Sequence, residues 1–575
     1  MNQVPDTPVF EGPPQDGAAC DLLVIGSGAS GFAAAVTGQA LGLKVIMVEK
    51  APTFGGSTVS SAGVIWIPSS RQAQAEGIVD APDQVLAYLK AEGGNRLDLA
   101  KAEVYASRAS RMLEWFETHS HVDYALAKAW PDYHPLQPGG SSGGRSLGPR
   151  PFDGRTLGRN FARLRPPLAT TMILGGMIVG REDLVHFYGM TRSLTAARHV
   201  FSRFARYALD RVTHPRGTRL SNGSALIGML SRTAFEKGVA LHLRSPLEEL
   251  IIEGGRVVGA RIAGRAVYAR SGVVLATGGF PANGAMRNQF YEHVGLGKSH
   301  RSLAPEDNTG DGIQAATSAG AALVADQKHP AAWTPVSLVP QADGTKLPFP
   351  HFFDRGKAGY IAVLKNGRRF TSEAISYHDF VPAMIEACRD QPDVFCYLIC
   401  DSVAIRRYGL GMAPPAPGQV GPHVRSGYLV RGVTIEELAR KCEIDPAELG
   451  RTIEEFNQGA ETGEDRQFNK GSNVYERFNG SAGQQPNPCV APVGKGPFYA
   501  VRLYPGDIGT FNGIRTDASC KALRPDGLPI DGLYVVGNDA ASFMGGSYPG
   551  AGITLGPALV FGHLAAHGAA GRSPP

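Results

Sequence analysis

The chain has 575 residues, enough for more than one domain at roughly 150 residues each. Its 57 Lys and Arg against 52 Asp and Glu leave a net charge of +5, too small an excess for a general nucleic-acid binder. Glycine is abundant, at 73 residues, but 43% hydrophobic content and the absence of a repeat exclude collagen-like and disordered classes. Glycine is therefore expected where backbone approaches a ligand closely.

Residues 1–19 read as a loose Pro/Gly/acidic arm that lacks the basic start and apolar core of a secretory signal. No uninterrupted apolar stretch approaches the ~18 residues of a spanning helix. The seven cysteines are scattered without zinc spacing, and Val394-Phe-Cys-Tyr-Leu-Ile-Cys400 reads as a buried strand. The histidines are dispersed, so no metal site is expected. The expectation is a reduced, cytoplasmic-type soluble protein, with any membrane contact peripheral and at the inner face.

Order begins at Asp21-Leu-Leu-Val-Ile25, an apolar run typical of a buried parallel strand. Gly26-Ser-Gly28-Ala-Ser30-Gly31 follows, then a small-residue helix to Leu41 and a second strand, Lys44–Val48, ending in Glu49. Residues 135–182, rich in Gly, Pro and Arg, read as a long surface excursion, part of an insertion spanning 135–219. A helix near 190–212 places Leu194, Phe201, Phe204 and Ala208 on one face. Arginines 192, 198, 203, 206, 211, 216 and 219 surround it, with Asp210 the single acid between Arg192 and Arg219. A solvated basic face is the first reading of that cluster, and a membrane-surface patch the second.

Residues 238–277 alternate as β structure and run into Thr277-Gly-Gly279. A helix is expected over Ile435–Phe456, opened by Thr434 with Glu437 at capping-box spacing. The sheet pattern returns at Gly532–Val536, followed by Gly537-Asn538 and a final small-residue helix. Nucleotide-type elements at both ends enclose a different middle. The expected fold class is α/β (mixed α+β), with a discontinuous Rossmann-type cofactor-binding domain at 20–330 and 505–575 and an inserted α+β substrate domain at 331–504.

The glycine turn follows a strand, opens a helix and precedes an acid at the end of the next strand, which is the context a dinucleotide site requires. Gly26 permits the turn, Gly28 lets backbone reach a pyrophosphate, and Gly31 lets helix and strand pack. The helix N-terminus offers oriented N–H groups, and Glu49 can accept from ribose hydroxyls. Lys50, Gly55, Gly56, Ser57, Ser61 and Gly63 form a second segment directly after that acid. With Gly537-Asn538 near the C-terminus, this suits an extended FAD.

Together with Thr277-Gly278-Gly279, Thr309-Gly310-Asp311-Gly312 and Gly367-Arg-Arg-Phe370 with Glu373, these segments resemble the fumarate reductase/succinate dehydrogenase flavoprotein superfamily over residues 20–570. The resemblance adds Ser30, Asp311, Thr554 and Leu555 to the cofactor contacts. Members that attach FAD covalently carry a His after the acidic strand. None lies between residues 50 and 70 here, which implies non-covalent FAD. The family's dicarboxylate set is not evident: His329-Pro330 matches one fragment, but Ala331 stands where Thr is wanted.

The run Gly545-Gly-Ser-Tyr548-Pro-Gly-Ala-Gly552 resembles the signature of the 3-ketosteroid Δ1-dehydrogenases, as do Pro131-Asp-Tyr133 and Glu373-Ala-Ile-Ser-Tyr377. The resemblance implies that Tyr377 is the base and Tyr133 its helper. It implies that Tyr548 and the Gly552 N–H hold the ketone oxygen. The chemistry suits those groups. An α-proton leaves to a base, a hydride leaves the β-carbon for flavin N5, and charge develops on the ketone oxygen, where a phenol and a backbone N–H stabilise it. The expected partners are a steroid-like substrate and a quinone-type acceptor. Desaturation of a related cyclic ketone (including Δ4 of 5α-steroids), ene reduction and fumarate-type reduction remain alternatives. So does a non-catalytic flavin-bound sensor, although such a protein needs no base beside the flavin.

Overall fold

The computed structural model describes residues 9–190 and 193–574. Two sheets organise the chain. In the first, β1 (Val9–Glu11), β2 (Ala18–Ile25), β3 (Val45–Val48) and β4 (Ala240–Leu243) join β5 (Leu247–Glu253), β6 (Arg256–Ile262) and β7 (Arg265–Leu275) in the order β1-β4-β3-β2-β7-β6-β5. Pairing is parallel from β1 to β7, with Val24 opposite Met47, and antiparallel through the β5–β6–β7 meander. Leu22 to Val24 of β2 and Val273 to Leu275 of β7 are fully buried, as strands covered on both faces must be.

Helix α1 (Ala29–Ala40) follows the glycine turn and packs on the C-terminal helix α8 (Leu555–Ala569). Small residues make that approach close: a Cβ at Gly562 would stand 3.0 Å from the Ala33 Cβ and 2.5 Å from the Ser30 carbonyl oxygen. The final strand, Pro529–Val535, pairs in parallel with β7 and returns the chain's end to the first sheet. Both ends of the sequence therefore build one nucleotide-type layer.

The second sheet is antiparallel apart from Arg301–Ser302, which pairs in parallel with its central strand. β8 (Ala331–Pro340), β9 (Lys346–Pro350), β10 (Tyr360–Val363), β11 (Cys396–Cys400) and β12 (Phe498–Thr510) lie in the order β9-β8-β12-β11-β10, with the 13-residue β12 at the centre. All seven cysteines are free and buried, including both in β11.

Four expectations need correction. Val9–Glu11, within the stretch read as an arm, pairs with β4 as a parallel edge strand, while residues 1–8 lie outside the described residues. The expected helix at 435–456 is two helices, Ile435–Lys441 and Pro446–Ala460. Glu443 adopts φ +56° between them, and Pro446 begins the second, where it needs no N–H donor. The 135–182 stretch is not a surface excursion: Arg145, Leu147 and Phe161 are buried, and residues 146–149 pair with both Ile65–Trp66 and Tyr124–Leu126.

Beyond it come a short hairpin (Met172–Ile173 with Met177–Ile178), α4 (Arg181–Gly189) and α5 (Leu194–Thr213). The basic-face reading of α5 holds only in part. Arg198 and Arg211 are exposed and Arg206 is half-exposed, but Arg203 is buried and donates to the Ile178 carbonyl, Arg216 is buried against Phe161, and Arg219 pairs with Asp183, while Arg192 lies outside the described residues. The outward face also carries large apolar side chains among those arginines: Leu194 is 87% exposed, Phe201 74%, Leu209 73% and Val212 80%. Ala208 is exposed beside them, and Phe204 is half-buried. No helix among the described residues is long and apolar enough to cross a membrane.

Candidate active site

The two sheets meet along one cleft of about 1790 Å³, its open mouth included. Gly26 turns the chain at φ +106°, and a Cβ there would strike the Ala276 carbonyl oxygen. Gly28 starts α1 beside Thr58, whose hydroxyl accepts from the Ala29 N–H at 3.1 Å. Gly26, Gly28, Ser30 and Glu49 line the cleft at this end. Gly31 does not; it lies against the Gly26 carbonyl, where any Cβ would collide.

The Glu49 carboxylate accepts from the Ser27 N–H and hydroxyl (3.1 and 2.5 Å) and from the Ala51 N–H (2.9 Å). Ser27 also binds the Gly55 N–H, so one serine joins turn, acid and second segment. Gly55 (φ +116°) lies behind the cleft wall, which Gly56, Ser57, Ser61 and Gly63 form. Lys50 meets Asp311 at 2.8 Å and Thr309 at 2.6 Å across the cleft.

Thr277 and Gly278 line the cleft opposite Gly537 and Asn538. Buried Asp539 ties these turns together, accepting from the Thr277 N–H (2.5 Å) and hydroxyl (2.9 Å) and from the Gly279 N–H (2.8 Å). Burial raises its pKa to about 6, opposed by those hydrogen bonds. Gly279 is held here behind the lining. Ser27, Thr58 and Asp539 escaped sequence reasoning; the one available signal was an acid directly after Gly537-Asn538. The glycine cradle, the open N-terminus of α1 and the long cleft fit an FAD.

At the other end three tyrosines meet. The Tyr133 hydroxyl donates to the Tyr377 hydroxyl at 3.0 Å. Tyr548 stacks on Tyr133 with centroids 5.5 Å apart at 8°, and meets Tyr377 edge-on at 5.5 Å. All three are buried and line the cleft. Burial raises all three phenol pKa values, those of Tyr133 and Tyr377 well above the usual value.

Each tyrosine is held by its own element. Tyr377 opens α7 (Tyr377–Ala387), whose N-cap Ser376 accepts from the Asp379 N–H at 3.0 Å. The Tyr133 N–H donates to the Pro549 carbonyl at 2.9 Å, joining its loop to the segment that carries Tyr548. Buried Asp132, beside Tyr133, accepts from Trp66 Nε1, Arg145 Nη1 and the Ser141 N–H at 2.8–2.9 Å.

Gly552 adopts φ +96° against the Ile65–Trp66 backbone, where a side chain cannot fit. It lines the cleft, and its N–H has no hydrogen-bond partner among the described residues. Thr554 and Leu555 follow at the start of α8. Arg369, by contrast, lies away from the cleft, buried with Glu373 (2.8 Å) and Asp465 (2.7 Å), while Arg368 is largely exposed. His329 packs against His378, and burial lowers its pKa to about 4.

The family described as FAD binding domain matches residues 21–555. The 4-oxocyclohex-2-ene-1-carboxylate 5-dehydrogenase of Sinomonas cyclohexanicum is 37% identical over 95% of this chain and 93% of its own. The 3-oxosteroid 1-dehydrogenase of Mycolicibacterium smegmatis is 35% identical over 96% and 97%. Among solved structures, 3-ketosteroid Δ1-dehydrogenase from Sterolibacterium denitrificans, in complex with 1,4-androstadiene-3,17-dione, superposes with a TM-score of 0.87. It is 35% identical and covers 96% of this chain and 99% of its own. The chain thus belongs to the FAD-binding-domain flavoproteins, as a 3-ketosteroid Δ1-dehydrogenase-like member whose cofactor is FAD.

Proposed function

We propose that the protein dehydrogenates a 3-ketosteroid between C1 and C2 and passes the electrons to a quinone-type acceptor. The observation that carries this reading is the Tyr133–Tyr377–Tyr548 cluster lining the cleft beside the unpaired Gly552 N–H. FAD supplies a hydride acceptor, held without a covalent bond: no His lies between residues 50 and 70, and among the described residues no His or Cys lines the cleft. Tyr377, as its phenolate, takes the α-proton and becomes neutral; the Tyr133 hydroxyl, by donating to it, favours that phenolate beforehand; and Tyr548 with Gly552 N–H stabilises the negative charge that the proton's departure leaves on the ketone oxygen. The chain divides into a cofactor part (20–330 and 505–575), which also carries Tyr133, Tyr548 and Gly552, and an inserted part (331–504), which carries Tyr377.

A small cyclic keto acid is the second reading, favoured by the 37% identity to a dehydrogenase named for such a compound. The walls argue against it. Around the tyrosines stand Trp130, Pro350, Phe352, Phe353 and Phe511, and the cations that line the cleft, Lys50 and Arg165, are already paired with Asp311 and Asp307. A buried substrate carboxylate would lack a counter-charge. Anaerobic titration decides the matter. Bleaching of the flavin by androst-4-ene-3,17-dione supports the steroid reading; bleaching by 4-oxocyclohexanecarboxylate alone overturns it.

We also propose that the exposed stripe of α5 rests on an anionic lipid surface, with Leu194, Phe201, Leu209 and Val212 entering the headgroup boundary and Arg198 beside them. Leu168 and Thr171, just before the 172–178 hairpin, line the cleft, so this surface borders the route to the site. Flotation with anionic vesicles tests the reading. A dimer in solution that buries the stripe, without vesicle binding, overturns it.

A further inference from the structure

His134 follows Tyr133 and is bonded on both sides. Its Nδ1 lies 2.9 Å from both oxygens of Glu92, and its Nε2 lies 2.8 Å from Oδ2 of Asp379. Neither carboxylate can donate, so both ring nitrogens carry protons and the ring is an imidazolium. Glu92, its side chain buried, comes from α2 (Pro82–Gly93); Asp379 comes from the first turn of α7, two residues after Tyr377. The His134 N–H also donates to the Tyr88 hydroxyl, which itself donates to the Pro549 carbonyl at 2.6 Å, next to Tyr548. One residue therefore touches the supports of all three tyrosines.

The charges around it are unbalanced without it. Burial opposes charge on the ring, but the hydrogen bonds to Asp379 and Glu92 raise the His134 pKa to about 10. Asp379 is likewise held well below the usual carboxylate range, burial notwithstanding, by the His134 hydrogen bond and charge. Of the other titratable neighbours, burial lowers His378 to about 3 and His329 to about 4, and burial raises the Tyr88 and Tyr475 phenols. A further cation, Arg355, stacks on Phe380 of α7 and donates to the Glu373 and Ile375 carbonyls, with no ion pair to Asp379 or Glu92. Arg145, on the far side of Asp132, is already paired with Asp132 and Asp80. With a neutral residue at 134, Asp379 and Glu92 would lose the cation that bridges them, and Asp379 would keep only the Ser376 hydroxyl and partial solvent contact beside the phenol pair.

We propose that His134 is a positioning residue that holds the Tyr133 loop against the turn carrying Tyr377 and whose positive charge offsets Asp379 beside the phenol pair. This rests on the reading of Tyr377 as the base. A nearby negative charge disfavours phenolate, so removing the imidazolium makes the base harder to form.

The test is stopped-flow flavin reduction by androst-4-ene-3,17-dione across pH, on the FAD-loaded protein, with product affinity measured in parallel. In His134→Gln the alkaline-rising limb is expected to move up by about one pH unit, slowing reduction about tenfold near neutrality. Product affinity should stay within about twofold. Asp379→Asn added to His134→Gln should move the limb back, and His134→Lys, which keeps a cation, should leave it nearer the wild-type position. A rate that falls equally at every pH in His134→Gln, or does not fall, overturns the proposal. Tyr377→Phe in the same assay separates the two failures. If it reduces flavin at wild-type speed, the base reading is lost and this proposal with it. If it is slow while the His134→Gln limb stays in place, only the role of His134 is lost.

Discussion

The tyrosine cluster and helix α5 are opposite solutions to placing aromatic and aliphatic side chains. In the cluster every ring is buried, each is held by a different element, and the supports are ion pairs and backbone hydrogen bonds. On α5 one face packs through Val200, Arg203, Tyr207 and Asp210, while the other presents Leu, Phe and Val to the surroundings. Large apolar patches on a surface mark contact sites, whereas a cluster fixed from several directions marks a need for geometry. The contrast therefore assigns chemistry to the first region and contact to the second, and substitutions in the two should behave differently.

The largest effect is expected at Tyr377. Tyr377→Phe keeps the ring that packs on Phe352 and removes the proposed proton acceptor. Flavin reduction by a 3-ketosteroid should fall by about 10²–10⁴, with product binding retained. The wild-type rate should also rise with pH: burial raises the phenol pKa, so the competent phenolate is a minor form near neutrality and grows about tenfold per unit. A pH-independent rate between 6 and 9 would break the assignment. Tyr548→Phe comes next, at about 10²–10³ in reduction rate. It should weaken product binding as well, because its hydrogen bond to the ketone already exists in the bound ground state. Equilibrium titration of the product distinguishes the two variants.

A smaller effect concerns stability. The pKa of His134 is raised on folding, so its contribution is fully present below about 6.5 and is lost as pH rises through about 10. Melting temperatures of wild type and His134→Gln should therefore differ most near pH 6 and converge above pH 10. A difference that widens with pH would mean the ring is neutral in the folded protein.

The cofactor end was legible because its chemistry is local: the glycine turn, Glu49 and the Gly55-Gly56 segment lie within forty residues, and the hydrophobic period marks the strands around them. The tyrosines come from 133, 377 and 548, and nothing in their spacing brings them together; only motif resemblance singled them out. The clamps around them were illegible for the same reason, since the Glu92–His134–Asp379 contacts are made by tertiary packing. Helix α5 was legible only in part, for a different cause. Its periodic apolar face was visible, but periodicity does not say which face meets the protein, and here the interior took Arg203 because Asp183 and the Ile178 carbonyl await it. The break before Pro446 was missed because the capping signal at Thr434 marks where a helix starts and not where it stops.

The smallest intrinsic effect is expected on α5, and it is the sharpest test of the contrast. Phe201→Glu with Leu209→Glu removes apolar area that is already about three-quarters exposed, so folding should change by no more than about ±0.5 kcal/mol per site. Two added carboxylates on the outward face also oppose an anionic surface. Vesicle binding should be lost, while flavin reduction by substrate dissolved in detergent-free buffer stays at the wild-type rate. Substrate presented in anionic vesicles should be consumed more slowly by the variant, because only the delivery step differs. If the variant melts several degrees lower and loses activity with dissolved substrate, the outward face is packed against something the folded protein needs. A second copy of the chain would then be the occupant, which sedimentation of wild type and variant would show directly.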